Sequence, residues 1–406
     1  MIKVKRQVGF ISALILLFGV FSCSDVEAPL RSYEPEIQVN IGSASPEVEL
    51  FADEEIEQTE NSLTTQETEK ETIKETENEE KMQEKEDVKP PVFGFIDAHA
   101  DTITRALLPQ HNAGLFSNKL HIDFERLYDF GAPVQVFVLW CADGYVKDAF
   151  NYTNSLIDFF ESEVAKHSDI IEIALTLEDL ERNARNNKIS AILSIEGSEA
   201  LMGNIDNVDH FYNRGVRIIG LTWNRENEAG YGQATGSAEG LKPFGVEVIK
   251  RMEELGIIMD VSHVNETGFW DAHRLSSRSY IASHSNSYSV TPHKRNLTDD
   301  QIGAIVDRGG IIGLALYPLI LSNQNRANMD HILGHIDHFI EIGAGKNLGL
   351  GGDLDGFDTM PDGLKDVSSY MILAERFAAV YGEDVSKKIM SENFYDFFVR
   401  YFGNEQ

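Results

Sequence analysis

From Phe93 to the end of the chain, short apolar runs rich in β-branched residues alternate with amphipathic stretches, the pattern of repeated strand and helix units around a parallel sheet. Eight such runs can be placed: Phe93 to Asp97, Val134 to Leu139, Ala191 to Ile195, Arg217 to Leu221, Ile257 to Val261, Tyr280 to Ser283, Ile311 to Leu316 and Leu348 to Gly352. Each reads as a buried parallel strand. Eight is the count that closes a (β/α)8 barrel, so an α/β fold of the TIM type is expected over residues 93–406, with no second folded domain.

Helix signals fill the gaps. Pro243 stands where a first helical residue belongs, Val246, Ile249, Met252 and Leu255 recur at helical spacing, and Gly256 closes the end in a left-handed turn. Thr298 followed by Gln301 forms a capping box for a helix through Ile302 and Ile305. Longer helices are expected near Asn151 to Lys166 and Val367 to Val380. On a further helix His331, His335 and His338 mimic metal-ligand spacing. Ile332, Ile336, Phe339 and Ile340 read as its buried face, which leaves the histidines as a solvated stripe on the outer ring.

The N-terminus breaks the pattern. Lys3, Lys5 and Arg6 precede an apolar run from Val8 to Phe21, a secretory signal peptide spanning residues 1–22. The run ends Gly-Val-Phe-Ser-Cys, which resembles a bacterial lipobox, so Cys23 is the expected lipidation site and the protein an extracytoplasmic, membrane-anchored lipoprotein of the cell envelope. Residues 23–92 are dominated by Glu, Thr, Asn, Gln and Ser and cannot bury enough apolar surface to offset chain entropy, so they read as a disordered acidic tether. The tether carries about half of the formal net charge of −31. A chain this acidic is not expected to bind nucleic acid. With only Cys23 and Cys141 present, neither a disulfide framework nor a cysteine-rich zinc module can form, and Cys141 reads as a lone buried thiol.

Metal chemistry must then come from His and carboxylates, and these gather at the C-terminal ends of the expected strands, the face on which barrel enzymes build their sites. The first strand ends His99-Ala100-Asp101, two positions apart and so on one side of a strand. The third ends in Glu196, which can bridge two metals. The fifth and sixth end in His263 and His284, and the eighth in Gly351-Gly352-Asp353, where Asp353 can face the metals. Singly, each has a plainer reading: a chance His-x-Asp pair, a hydrogen-bonded buried Glu, a satisfied core histidine. Together they make two roughly four-coordinate zinc sites sharing Glu196 and a hydroxide. A second His-x-Asp copy, His121-Ile122-Asp123, precedes a strand and reads as a loop or helix start. Asp353, Asp355 and Asp358 lack calcium-loop spacing, and no nucleophile elbow, Walker loop or dinucleotide fingerprint occurs.

These residues resemble the membrane (renal) dipeptidase family, zinc-dependent barrel hydrolases related to the amidohydrolases. The resemblance runs from Phe95 to the C-terminus and rests on Ile96-Asp97-Ala98-His99-Ala100-Asp101, Gly240-Leu241-Lys242-Pro243-Phe244-Gly245, Asp260-Val261-Ser262-His263-Val264, Ser283-His284-Ser285-Asn286, Lys294-Arg295-Asn296 and Gly351-Gly352-Asp353-Leu354-Asp355-Gly356. It implies that His99 and Asp101 bind one zinc, His263 and His284 the other, and Glu196 both. It also implies that Arg295 holds the free carboxylate of a dipeptide, and that Asp353, rather than Asp355, holds the substrate amine and shuttles a proton. Trp223 stands where family members often carry a histidine that polarises the scissile carbonyl; an indole is only a neutral donor, which leaves Asn224 or zinc to stabilise the oxyanion. The expected activity is hydrolysis of dipeptides with a free C-terminus. The Trp223 departure keeps open deacylation of an N-acyl amino acid or lactone opening, and a binding lipoprotein without catalysis is the rival from another class. A homodimer is compatible with the sequence.

The lipobox reading makes a direct prediction. Replacing Cys23 with Ser should move the protein from the detergent to the aqueous phase in a detergent partition of whole cells; unchanged partitioning would leave only a plain signal peptide.

Overall fold

The computed structural model of the protein describes residues 91–403. The signal peptide, Cys23 and nearly all of the tether lie outside the described residues. Among the described residues no helix is long and apolar enough to cross a membrane.

Nine parallel strands form the sheet: β1 (Ile96–Ala100), β2 (Val134–Trp140), β3 (Ile171–Ile173), β4 (Ile189–Glu196), β5 (Val216–Gly220), β6 (Ile258–Asp260), β7 (Ile281–Ala282), β8 (Ile311–Leu314) and β9 (Leu348–Leu350). Their order is β2-β1-β9-β8-β7-β6-β5-β4-β3, and a β2–β4 pairing closes eight of them into the expected barrel. The ninth, β3, was not foreseen. It pairs only with Ile189, Ser190 and Ala191 at the start of β4, below the point where β5 joins at Leu193. Three residues are too few to leave a periodic signal.

Side-chain alternation sorts the strands into two cores. Phe137, Leu193, Ile219, Met259, Ile312 and Leu350 join the outer helices in one cluster. Ile96, Ala98, Val134, Val136, Ile192, Ile218, Ile258, Ile281 and Ile311 form the other, the barrel interior, together with Phe394, Phe397, Phe398 and Tyr401 of the C-terminal helix Asn393–Phe402. That helix plugs the N-terminal end: Tyr401 Oη donates to Ile257 O at 2.9 Å and Asn393 Nδ2 to Leu348 O at 2.8 Å, both at strand starts. Gly349 on β9 makes room for the Phe394 ring, which a Cβ would approach to 2.3 Å. With the apolar plug at one end, polar side chains are left to the other.

The helix signals hold locally. Pro243 opens Pro243–Leu255 and Gly256 ends it at φ 73°. Thr298 and Gln301 make both halves of their capping box on Asp299–Asp307. The helix expected from Asn151 runs Ala149–Lys166, and the one expected from Val367 begins as a 3-10 turn before Tyr370–Tyr381. Asp123 caps Phe124–Tyr128 by accepting from Arg126 N, as a helix-start pair should. Cys141 is a buried free thiol.

The histidine stripe on Met329–Glu341 is corrected in part. His335 is fully buried; its Nε2 contacts Leu321 O at 3.0 Å and its Nδ1 accepts from Ser287 N at 3.2 Å, so it stitches the loop after β7 to the helix. Ile340, assigned to the buried face, is exposed instead. Helical periodicity alone cannot see a loop that lies over the histidine side.

Two inward glycines set how tightly the strands close. A Cβ on Gly313 or Gly351 would fall 1.9 or 1.8 Å from Ser283 O, and each would also come close to the other glycine's Cα, at 2.8 and 2.9 Å. Either residue changed to Ala should lower the thermal midpoint of the metal-free protein by roughly 5–10 °C. Gly303→Ala, with open space around the position, should raise stability by about 0.5–1 kcal/mol as the control; equal effects at all three would remove the packing argument.

Candidate metal centre

The interior alternation places Ser194 and Glu196 of β4, Asp260 of β6 and the residue after β7, Ser283, on the inner face. Regular alternation would turn His99 outward, since Ile96 and Ala98 already point in. The β1 register slips between Asp97 and Ala100, and this irregularity lets His99 turn inward. Asp101 is not strand at all: it is the N-cap of Thr102–Leu107, at φ −86° and ψ 14°. The pair expected on one side of a strand therefore meets by a different route, with His99 Nε2 3.7 Å from Asp101 Oδ2. Backbone bonds from Asp353 N to His99 O (3.1 Å) and from Asp101 N to Leu354 O (2.9 Å) hold the loop after β9 against the end of β1.

Glu196 Oε1 is the hub. It lies 3.6 Å from His99 Nε2, 3.0 Å from His263 Nε2 and 3.6 Å from His284 Nε2. Two ligand groups share it, His99 with Asp101 and His263 with His284, and within each group the donor atoms lie within 4.8 Å of one another. His263 reaches its place from a left-handed backbone at φ 68°, a conformation that costs a non-glycine residue of order 1–3 kcal/mol. Asp353 is left-handed too, at φ 56°. Strain of this kind in two site residues is held by the surrounding framework, and no residue type announces it in the sequence.

The electrostatics fit a bound dication. Burial and the Arg295 charge hold His99 down to about 3, and burial first holds His263 and His284 well below the ordinary imidazole value, so all three rings are neutral and could serve as ligands. Burial, reinforced by neighbouring carboxylates, lifts Asp101 and Glu196 well above theirs. Asp353 is lifted to about 7, mainly by burial, against the pull of Arg295 and a hydrogen bond with Asp101. His99 Nε2 is buried with no hydrogen-bond partner, facing the carboxylates with a bare nitrogen. Divalent metal in each group would satisfy that atom and compensate the clustered acids.

Above the ligands opens a cavity of about 490 Å³. Arg295, Tyr317, Asp353, Trp140 and Trp223 are among the residues that line it. Arg295 is partly buried, donates from Nη2 to His284 O at 3.2 Å, and faces the charges of Asp353, Glu196 and Asp260. Trp223 packs on Trp140 with ring centres 5.0 Å apart and lies 6.1 Å from the His263 ring. Asn224 Oδ1 is committed to His263 Nδ1 (2.9 Å) and Gln233 Nε2 (2.6 Å). Asp355 also reaches the cavity wall, but its oxygens accept from Thr102 Oγ1, His121 N and Ile122 N, which makes it a brace between loops. Every expected site residue among the described ones thus converges on one mouth. Sequence reasoning passed over Trp140, Gln233 and Tyr317; only Trp140, the last residue of β2, stood where a strand-end rule would have found it.

The family model described as membrane dipeptidase, peptidase family M19, matches residues 90–399. A dipeptidase of Claviceps purpurea, tcpJ, is 30% identical over 289 residues, spanning 67% of this chain and 67% of its own. Of solved structures, a metallopeptidase described as dipeptidase AC is similar at TM-score 0.72 and 27% identity, covering 77% of this chain and 99% of its own. A metallopeptidase of Rhodobacter sphaeroides, liganded with a phosphinate mimic of the dipeptide L-Ala-D-Ala, is similar at TM-score 0.71 and 25% identity, covering 76% and 99%.

The shifted acids and imidazoles act on stability in opposite directions. A lowered histidine opposes folding at low pH and its penalty fades as pH rises; for His99 the window runs from about 3 to 6.5. A raised carboxyl supports folding at low pH and loses that support as pH rises, for Asp353 between 3.8 and about 7. Above the ordinary histidine value only the carboxyls still change. Metal-free protein should therefore lose thermal stability between about pH 6.5 and pH 8, and added zinc should restore more at the upper end. A melting temperature that stays level or climbs across that interval would count against the acid cluster.

Proposed function

Because the chain belongs to the membrane dipeptidase family, and is accordingly a metallo-dipeptidase, we propose that it uses two zinc ions to hydrolyse dipeptides that carry a free C-terminal carboxylate. The observation that carries this reading is the single oxygen, Glu196 Oε1, shared by both ligand groups at the foot of a cavity flanked by Arg295 and Asp353. His99, Asp101 and Glu196 would hold one zinc, and Glu196, His263 and His284 the other; such a pair supplies an acidified shared water as nucleophile and an electrophile for the peptide carbonyl.

The chain's own groups then divide the remaining work. Arg295 offers a guanidinium fork to the substrate carboxylate and fixes how far the scissile bond reaches toward Glu196. Asp353 accepts the substrate amine, takes the proton released by the attacking water and returns it to the leaving nitrogen. Trp140 and Trp223, packed on each other in the cavity lining, exclude water. Trp223 carries no titratable proton, so in this reading proton transfer rests on Asp353 alone. The dipeptide mimic bound in the Rhodobacter sphaeroides relative supports the substrate class. A lipid on Cys23 would hold the enzyme at the extracytoplasmic surface of a bacterial envelope.

Arg295→Ala should raise KM for unmodified dipeptides about 10–100-fold while leaving that for C-terminally amidated ones little changed. An equal effect on both series would remove the carboxylate role. Turnover of N-acyl amino acids in preference to any dipeptide, at fixed zinc, would favour the broader amidohydrolase reading.

A further inference from the structure

Beneath the imidazoles, between the metal ligands and the apolar plug, the barrel interior contains one polar layer whose centre is the hydroxyl of Ser283. Ser283 Oγ donates to Asp260 Oδ2 at 2.5 Å, and the other oxygen of that carboxylate accepts from Ser262 N and Ser283 N, both at 2.9 Å. The hydroxyl's one proton is therefore directed at Asp260. What remains on Oγ is acceptor capacity, and two ring nitrogens face it: His99 Nδ1 at 3.0 Å and His284 Nδ1 at 2.8 Å. Only an N–H satisfies a lone pair, so both Nδ1 atoms carry the proton. A neutral imidazole has one, so both Nε2 atoms are left unprotonated, each 3.6 Å from Glu196 Oε1, with His284 Nε2 also 2.9 Å from His263 Nε2.

We infer that Ser283, oriented by Asp260, is a positioning residue that sets the tautomer of one histidine in each metal site at once. The inference rests on the two-zinc reading above and extends it to a residue that touches neither substrate nor metal. His99 belongs to one ligand group and His284 to the other, with ring centres 3.7 Å apart and planes tilted by 38°. One buried hydroxyl thus couples the two sites. His263 is served separately, by Asn224 Oδ1 on its Nδ1. The Ser283 backbone is itself confined, its carbonyl oxygen lying against Gly313 and Gly351, so the hydroxyl has little room to turn elsewhere.

The test uses the full chain, titrated with zinc by calorimetry after metal removal. Ser283→Ala should weaken zinc binding about 10–100-fold at both sites, whereas Asn224→Ala should do so at one. Ser283→Thr, which keeps the hydroxyl, should recover most of the affinity. Nitrogen-15 spectra of histidine in the metal-free wild type should find His99 and His284 protonated at Nδ1, and Ser283→Ala should convert them to tautomer mixtures. Loss at a single site in Ser283→Ala, or Nε2–H on either ring of the wild type, overturns the inference; if the alanine variant does not fold, the wild-type spectra decide alone. Wild-type protein that takes up fewer than two zinc ions yet has both rings protonated at Nδ1 would sink the two-zinc reading and leave the hydroxyl's role standing.

Discussion

The burial of three acids is the constraint around which the mouth of this barrel is built. Asp101, Glu196 and Asp353 sit within one small volume, and removal from water raises the cost of charging each, reinforced for Asp101 and Glu196 by neighbouring carboxylates. Nothing in the apolar interior can relieve them, and the rings of His99, His263 and His284 are too desolvated to ionise and help. The fold can hold such a cluster because eight strands and their outer helices pay out stability elsewhere, in two continuous apolar cores. A site this unfavourable in isolation is a strong acceptor for divalent cations.

The interior is ordered along the barrel axis. Aromatic rings of the C-terminal helix fill the lower end and a layer of isoleucine and valine lies above them. Next come Asp260 and Ser283, then the ligands, then the cavity with its charged and aromatic lining. Polarity therefore rises in one direction only. Each layer supports the geometry of the one above, and left-handed backbone brings His263 and Asp353 to the top, where loops can adopt such a turn.

Much of this was legible before any coordinates. Eight apolar-rich runs give eight barrel strands because a strand buried on both faces has few polar positions to confuse the reading. The five expected ligands, which converge in the structure, were visible for the same reason: polar residues at the ends of such runs stand out. The geometry behind them was less accessible. His99 and Asp101 converge through a register slip and a helix cap rather than through strand alternation. β3 was invisible because three residues carry no period. His335 looked solvated because its covering loop comes from a segment 48 residues away. Ser283 was hidden by its ordinariness, one serine among several in Ser283-His284-Ser285-Asn286-Ser287, distinguished only by which way the barrel turns it.

The plug formed by Asn393–Phe402 ties the fate of the whole interior to a segment more than a hundred residues beyond the last expected ligand, His284. The inner faces of the strands stay open to water until Phe394, Phe397, Phe398 and Tyr401 pack against them. A chain truncated before Asn393 would thus hold every expected ligand in hand with no floor to stand them on.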